Sequence, residues 1–267
     1  MFINPSVQVI KQGDGLQGIY NIIASCASTC YQSVPKEGEK AVEFVNKLIS
    51  NGHHAMLEFG TVYFKLPVED VEDDDELMHW ECLWEGSPYV DYDCDGNYFY
   101  VTTNVRHLLD CGLWADNMFK YMVSPTKFHE RRTAFRIVTS IGVARELTRH
   151  RVFSFAQEST RYCNYSKDKF SNELSFIVPP EGDFTNDEYL EYVNALTAIE
   201  KCYMKLVGDG VSPQIAREVL PLSLKTELCM CGFNKDWKRF FDLRCDSHAH
   251  PHMVRLAKEI QKQLESK

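Results

Sequence analysis

Apolar positions recur at threes and fours in several stretches of the chain and alternate in others, and the two periods predict different elements. Leu16, Ile19, Ile22 and Ile23 fall on one face of a helix predicted over residues 15–33, after an alternating strand at 6–11. Val42, Val45, Leu48 and Ile49 predict a second helix over 38–50, which the pair Asn51-Gly52 ends. Alternation predicts strands at 61–66, 98–103 and 133–138, and a helix over 140–151 carries Ile141, Ala144, Leu147 and Thr148 inward. A short strand at 175–178 stops against Pro179-Pro180. The longest periodic stretch, 185–207, repeats Tyr189, Tyr192, Val193, Leu196, Ile199, Tyr203 and Leu206. A short helix after Ser212-Pro213, a strand at 226–233 and two helices from about 235 and 250 complete the pattern. Strands and helices interleave irregularly, which predicts an α+β (mixed α/β) fold over 1–267, a single domain with a central sheet flanked by helices.

Charge placement adds to this. The net charge is −9, yet no Lys or Arg lies between Lys65 and Arg106 while twelve acids do, so residues 68–97 read as an acidic, solvated insertion. Asp93-Cys94-Asp95-Gly96-Asn97 lacks the later bidentate Glu of a calcium loop. From His129 to Arg161 the balance reverses, with seven Arg against three Glu, which suits a small anionic ligand better than a long polyanion. The ten cysteines form no C-x-x-C and read as buried hydrophobes. No membrane span or leader is legible, so the expected compartment is the cytoplasm.

Candidate chemistry is concentrated in few places. Gly13-x-Gly15-x-x-Gly18 has dinucleotide-fingerprint spacing and reads either as a phosphate-holding turn or as a flexible strand-to-helix turn. His248, His250 and His252 read as capping and surface groups, and no metal site is expected. Residues 149–161 gather Arg149, His150, Arg151, Gln157, Glu158, Ser159, Thr160 and Arg161, donors and acceptors suited to phosphate, carbonyl and sugar groups. That stretch reads either as a nucleotide pocket or as a salt-bridged helix end. Ser159 has no base beside it in sequence to make it a nucleophile.

Arg149-His150-Arg151, followed after seven residues by Ser159-Thr160-Arg161-Tyr162, resembles the signature of flavin-dependent thymidylate synthases. Ala27-Ser28-Thr29-Cys30-Tyr31, the run from Gly52 to Phe59, Arg217-Glu218-Val219-Leu220-Pro221-Leu222 and the run from Leu243 to His250 agree in order and spacing. The resemblance implies that fold, and an enzyme converting dUMP to dTMP with 5,10-methylenetetrahydrofolate as carbon donor and NADPH as reductant through bound FAD. It implies Glu146, Arg149, Gln157, Glu158, Ser159, Thr160, Arg161, Arg217 and Arg244 for dUMP, with Arg244 the catalytic group that polarises uracil. For FAD it implies His53, Ala55, Glu58, Arg149, His150, Arg151, Gln157, Phe233, Asn234, Lys235 and Arg239. It further implies a homotetramer with shared sites and no nucleic-acid or membrane partner. Ala55, Phe59, Glu146, Phe233 and Arg239 depart from the usual family residues. Two other readings are a nicotinamide-dependent oxidoreductase built on the glycines and a non-catalytic nucleotide- or RNA-binding module built on the arginines.

Overall fold

The computed structural model of the chain describes residues 1–71, 83, 86–179 and 182–266. Thirteen of the thirty residues of the expected acidic insertion, among them Glu72, Asp73, Asp74, Asp75, Glu76, Glu81 and Glu85, lie outside the described residues. The described strands are β1 Phe2–Ile3, β2 Ser6–Ile10, β3 Thr61–Pro67, β4 Asp91–Cys94, β5 Tyr98–Asn104, β6 Arg132–Ser140, β7 Ser154–Gln157, β8 Phe176–Ile177 and β9 Lys225–Phe233. The helices begin with α1 Gly15–Thr29, α2 Glu39–Ser50, α3 Val68–Val71, α4 Val105–Asp110 and α5 Asp116–Phe119. They continue with α6 Ile141–Leu147, α7 Asn186–Gly208, α8 Pro213–Ala216, α9 Asn234–Arg244 and α10 Pro251–Glu265.

The fold is α+β, as the periodicities predict. Its main sheet has the order β2-β6-β9-β7 and every neighbouring pair is antiparallel. Alternation along the strands sends side chains to two covered faces. Phe135, Ile137, Leu228 and Met230 pack with Leu147, Trp237, Phe240 and Leu256 from α6, α9 and α10. Ala134, Ala156, Cys229 and Cys231 pack with Ile22 and Cys26 of α1 on the opposite face. Because both faces are covered, β9 is almost wholly buried, and its run Leu228-Cys229-Met230-Cys231 needs no polar alternation. A second sheet, β3-β5-β4, packs against Ile19 and Ile23 of α1, so this helix is apolar over a wide arc. The third, β1 with β8, is parallel.

Three local differences from the sequence reading have physical causes. Residues 30–33 form hydrogen-bonded turns after Thr29 rather than more helix, because Tyr31 N and Ser33 N both donate to Ser28 O. The helix expected over 140–151 ends at Leu147, with Thr148 exposed rather than inward. Residues 154–157, to which the periodicities assign no element, form the edge strand β7; with only four residues they give too little alternation to detect. The glycine motif also resolves: Gly15 has φ +64°, and a Cβ on Gly18 would stand 1.9 Å from Gly13 O, so loop and helix touch backbone to backbone. The strand before it, β2, runs antiparallel to β6, which is not the βαβ unit that a dinucleotide fingerprint requires.

Candidate functional site

Sequence-predicted site residues fall into three groups within one chain. The first lies where α6 and α9 end together. The α6 helix starts at Ser140, whose Oγ accepts from Val143 N, and it gives way after Leu147 to a turn carrying the Arg-His-Arg run. The turn is seated by Phe153, which lies so close to β9 that a Cβ on Gly232 would come within 2.4 Å of its ring. Arg244, the last residue of α9, donates from Nε to His150 Nε2 at 2.9 Å and from Nη1 to Glu146 Oε2 at 3.1 Å. His150 stands edge-on to Phe240, with ring centroids 5.0 Å apart. Burial, and secondarily the charge of Arg244, pushes the imidazole down to about 4, so it is neutral near pH 7 and free to accept from the guanidinium. Arg149 and Arg151 flank it with exposed side chains and form no ion pair among the described residues.

That depressed pKa gives the fold an acid sensitivity. The unfolded imidazole titrates at about 6.5, so as pH falls from there to about 4 the unfolded chain takes up a proton that the folded chain refuses. The contribution of His150 to stability is full above the unfolded value and is lost through this window. His150→Gln keeps an acceptor without the titration, and its urea midpoint should fall less between pH 7.5 and pH 4.5 than that of the unmodified chain. Equal losses would remove His150 as the source.

The second group follows β7. Gln157 donates to Thr226 Oγ1 at 3.2 Å, and the next residue, Glu158, turns its carboxylate inward. Tyr165 Oη donates to Glu158 Oε1 at 2.9 Å, while Lys225 Nζ (2.8 Å) and Glu227 N (3.2 Å) donate to Oε2. Burial and this carboxylate push the Tyr165 phenol well above its ordinary value, which keeps it a donor. Glu158 therefore organises the segment rather than facing solvent. Ser159 N donates to Cys30 O at 3.0 Å and Ser159 Oγ accepts from Arg161 N at 3.4 Å, forming a tight turn tied to the end of α1. Arg217 Nη1 reaches Thr160 Oγ1 at 3.4 Å, and Arg161 is exposed with its guanidinium 5.5 Å from the Tyr162 ring centre.

The third group joins the 3-10 turn His54–Phe59 to the start of α9. His53 and Ala55 are exposed, whereas Glu58 is buried and accepts from Arg106 Nη1 at 2.6 Å. Arg132 donates to Glu58 O at 3.0 Å and lies 5.6 Å from the Phe233 ring centre; Lys235 Nζ is 5.3 Å from the same ring and pairs with Asp91. Asn234 Oδ1 accepts from Thr133 Oγ1 at 2.8 Å, and Arg239 is exposed one turn further on. Arg106, Arg132, Tyr165 and Lys225 were not singled out for the site by the sequence; their partners are 7 to 74 residues away along the chain, so no local spacing marks them. No side-chain hydrogen bond or ion pair joins one group to another among the described residues. The described residues contain no cluster suited to a metal ion and no helix long and apolar enough to cross a membrane.

Residues 122–267, which supply β6, β7, β9 and the helices α6 to α10, match the family model described as thymidylate synthase complementing protein. The chain belongs to that family. It is 34% identical over 148 residues to the flavin-dependent thymidylate synthase of Kosmotoga olearia, covering 50% of this chain and 62% of the relative. It is 31% identical over 121 residues to that of Geobacter sulfurreducens, covering 45% of this chain and 50% of the relative. A probable flavin-dependent thymidylate synthase of Paramecium bursaria Chlorella virus 1 is 27% identical over 165 residues, covering 55% and 74%. The chain thus spans about half to three-fifths of the first two of these relatives.

Proposed function

We propose that the protein is a flavin-dependent thymidylate synthase that methylates dUMP to dTMP, with 5,10-methylenetetrahydrofolate as carbon donor and NADPH as reductant, and that it works as a cytoplasmic homotetramer. The observation that carries this reading is the locked guanidinium of Arg244, held by Glu146 and the neutral His150 from the end of α6, 98 and 94 residues earlier in the chain. A planar cation fixed in this way suits a uracil carbonyl and its neighbouring ring nitrogen, where charge accumulates as C5 becomes nucleophilic. Arg244 then acts electrostatically and moves no proton.

The tight turn at Ser159, Thr160 and Arg161 offers side-chain hydroxyls and an exposed guanidinium to the nucleotide phosphate, with Arg217 beside it. In this reading Gln157, beside the turn, and Arg149, beside His150, also meet dUMP, and Glu158 holds the turn in place. The donor set also suits a flavin. Arg149 and Arg151 give charge on either side of the uncharged His150, and Phe233, Asn234, Lys235 and Arg239 with His53, Ala55 and Glu58 give a cationic, partly aromatic wall. When bound, FAD supplies hydride transfer between the nicotinamide and the pyrimidine–folate pair. In this reading the site is assembled from more than one subunit.

Absorbance of the purified holoprotein near the flavin bands, followed by dUMP-dependent dTMP formation with folate and NADPH present, tests the reading. A colourless protein that forms no dTMP with added FAD would refute it. Arg161→Ala should raise the KM for dUMP by roughly 10- to 100-fold, the range of one lost charge-assisted hydrogen bond, with kcat changed far less. An unchanged KM would remove Arg161 from the phosphate.

A further inference from the structure

A cavity of about 670 Å³ lies apart from the Arg244 and Ser159 groups, between the loop that follows β2 and the start of β3. Its volume is in the range of small-molecule sites. One wall is the glycine loop, Lys11 to Gly15, which the proposed thymidylate chemistry does not use; the facing wall includes Tyr63, Ser124 and Pro125. The two walls are tied together before any ligand arrives. Gln12 Nε2 donates to Thr61 O at 2.8 Å, and Thr61 N donates to Gln12 Oε1 at 2.9 Å. The cavity also straddles the start of the family match at residue 122, so part of its lining precedes the matched segment.

The lining has two chemical halves. Ile10, Ile19, Ile22 and Ala134 make an apolar floor. Lys11, Arg131 and Arg132 bring three cations, and none of them forms an ion pair among the described residues. Arg131 and Arg132 are satisfied only in part, by Pro125 O at 3.2 Å and by Glu58 O and Thr61 Oγ1, and Arg132 Nε is buried without a partner. Asp14 is the carboxylate on the lining, and its side chain makes no capping bond to α1. Unpaired cations around a concave apolar floor disfavour a metal ion, and the concavity suits a small ligand rather than a polymer.

We propose that this cavity binds a phosphorylated small molecule of nucleotide size, with its phosphates at Lys11, Arg131 and Arg132 and its ring on the isoleucine floor. The site stands whether or not the chain methylates dUMP. Arg132 also touches Glu58 and the Phe233 ring, so an occupant contacts a residue of the third group directly.

ADP, inorganic pyrophosphate and adenosine serve as probes, titrated calorimetrically into full-length protein already saturated with dUMP and FAD. One ADP per chain should bind, more tightly than either fragment. Lys11→Ala combined with Arg131→Ala, both at exposed side chains, should weaken ADP at least about tenfold and leave dUMP affinity unchanged. Each single variant should give an intermediate loss, and thermal melts establish that all of them fold. Absence of saturable ADP binding, an affinity indifferent to both substitutions, or competition of ADP with dUMP or FAD would overturn the proposal. Loss of dUMP binding in the unmodified protein would instead count against the thymidylate reading.

Discussion

Under the proposed function, Arg244→Ala is expected to lower dTMP turnover by roughly 10²- to 10³-fold, the range for removing a preorganised group that stabilises developing charge, with flavin absorbance unchanged from that of the unmodified protein. The argument rests on how firmly the guanidinium is held. Its Nε and Nη1 each have an acceptor, at 2.9 Å and 3.1 Å, so most of its orientation is fixed before a nucleotide binds. Arg244→Lys should recover little, because an ammonium keeps the charge but loses the planar fork that His150 and Glu146 align. Single-turnover rates at saturating dUMP separate this from weakened binding. Near-normal rates in the alanine variant would take Arg244 out of the chemistry.

Lys225→Met is expected to destabilise the fold by about 3–5 kcal/mol, the cost of leaving one partner of a buried ion pair without the other. Only 1% of the Glu158 side chain is exposed, and Lys225 is its charge partner at 2.8 Å. The remaining donors, Tyr165 Oη and Glu227 N, satisfy hydrogen bonds without neutralising the carboxylate. Adding Glu158→Gln should recover most of the loss, since a neutral amide needs no counter-charge. Urea unfolding of the two variants reads this out, and an unchanged midpoint for Lys225→Met would show that Glu158 does not depend on it. Because Ser159 follows directly, the single variant should also raise the KM for dUMP.

Much of the scaffold was legible because its elements are long and amphipathic. The helices expected over 15–33, 38–50 and 185–207 and the strands β3, β5, β6 and β9 follow from spacing, the first helix stopping four residues short of its expected end. The short β4, α4 and α5 and the edge strand β7 were not, since four to six residues carry too little periodicity. The site was legible in composition but not in arrangement. The arginines and Ser159 are conspicuous in sequence, whereas the inward turn of Glu158 depends on Lys225 and Tyr165, which only the fold brings near. Likewise nothing around Glu58 foretells Arg106, 48 residues later, as its partner.

The thiols between α1 and the main sheet have a use in experiments. Cys26, Cys229 and Cys231 are fully enclosed there, and burial holds the thiols of Cys26 and Cys231 in their unreactive protonated form. Cys94 and Cys202 are open to solvent. An alkylating reagent will consume the second set at once and reach Cys26 and Cys229 only when the helix lifts from the strands, so the slow labelling mapped to those two thiols by peptide mass is a clock for that opening, with no introduced probe.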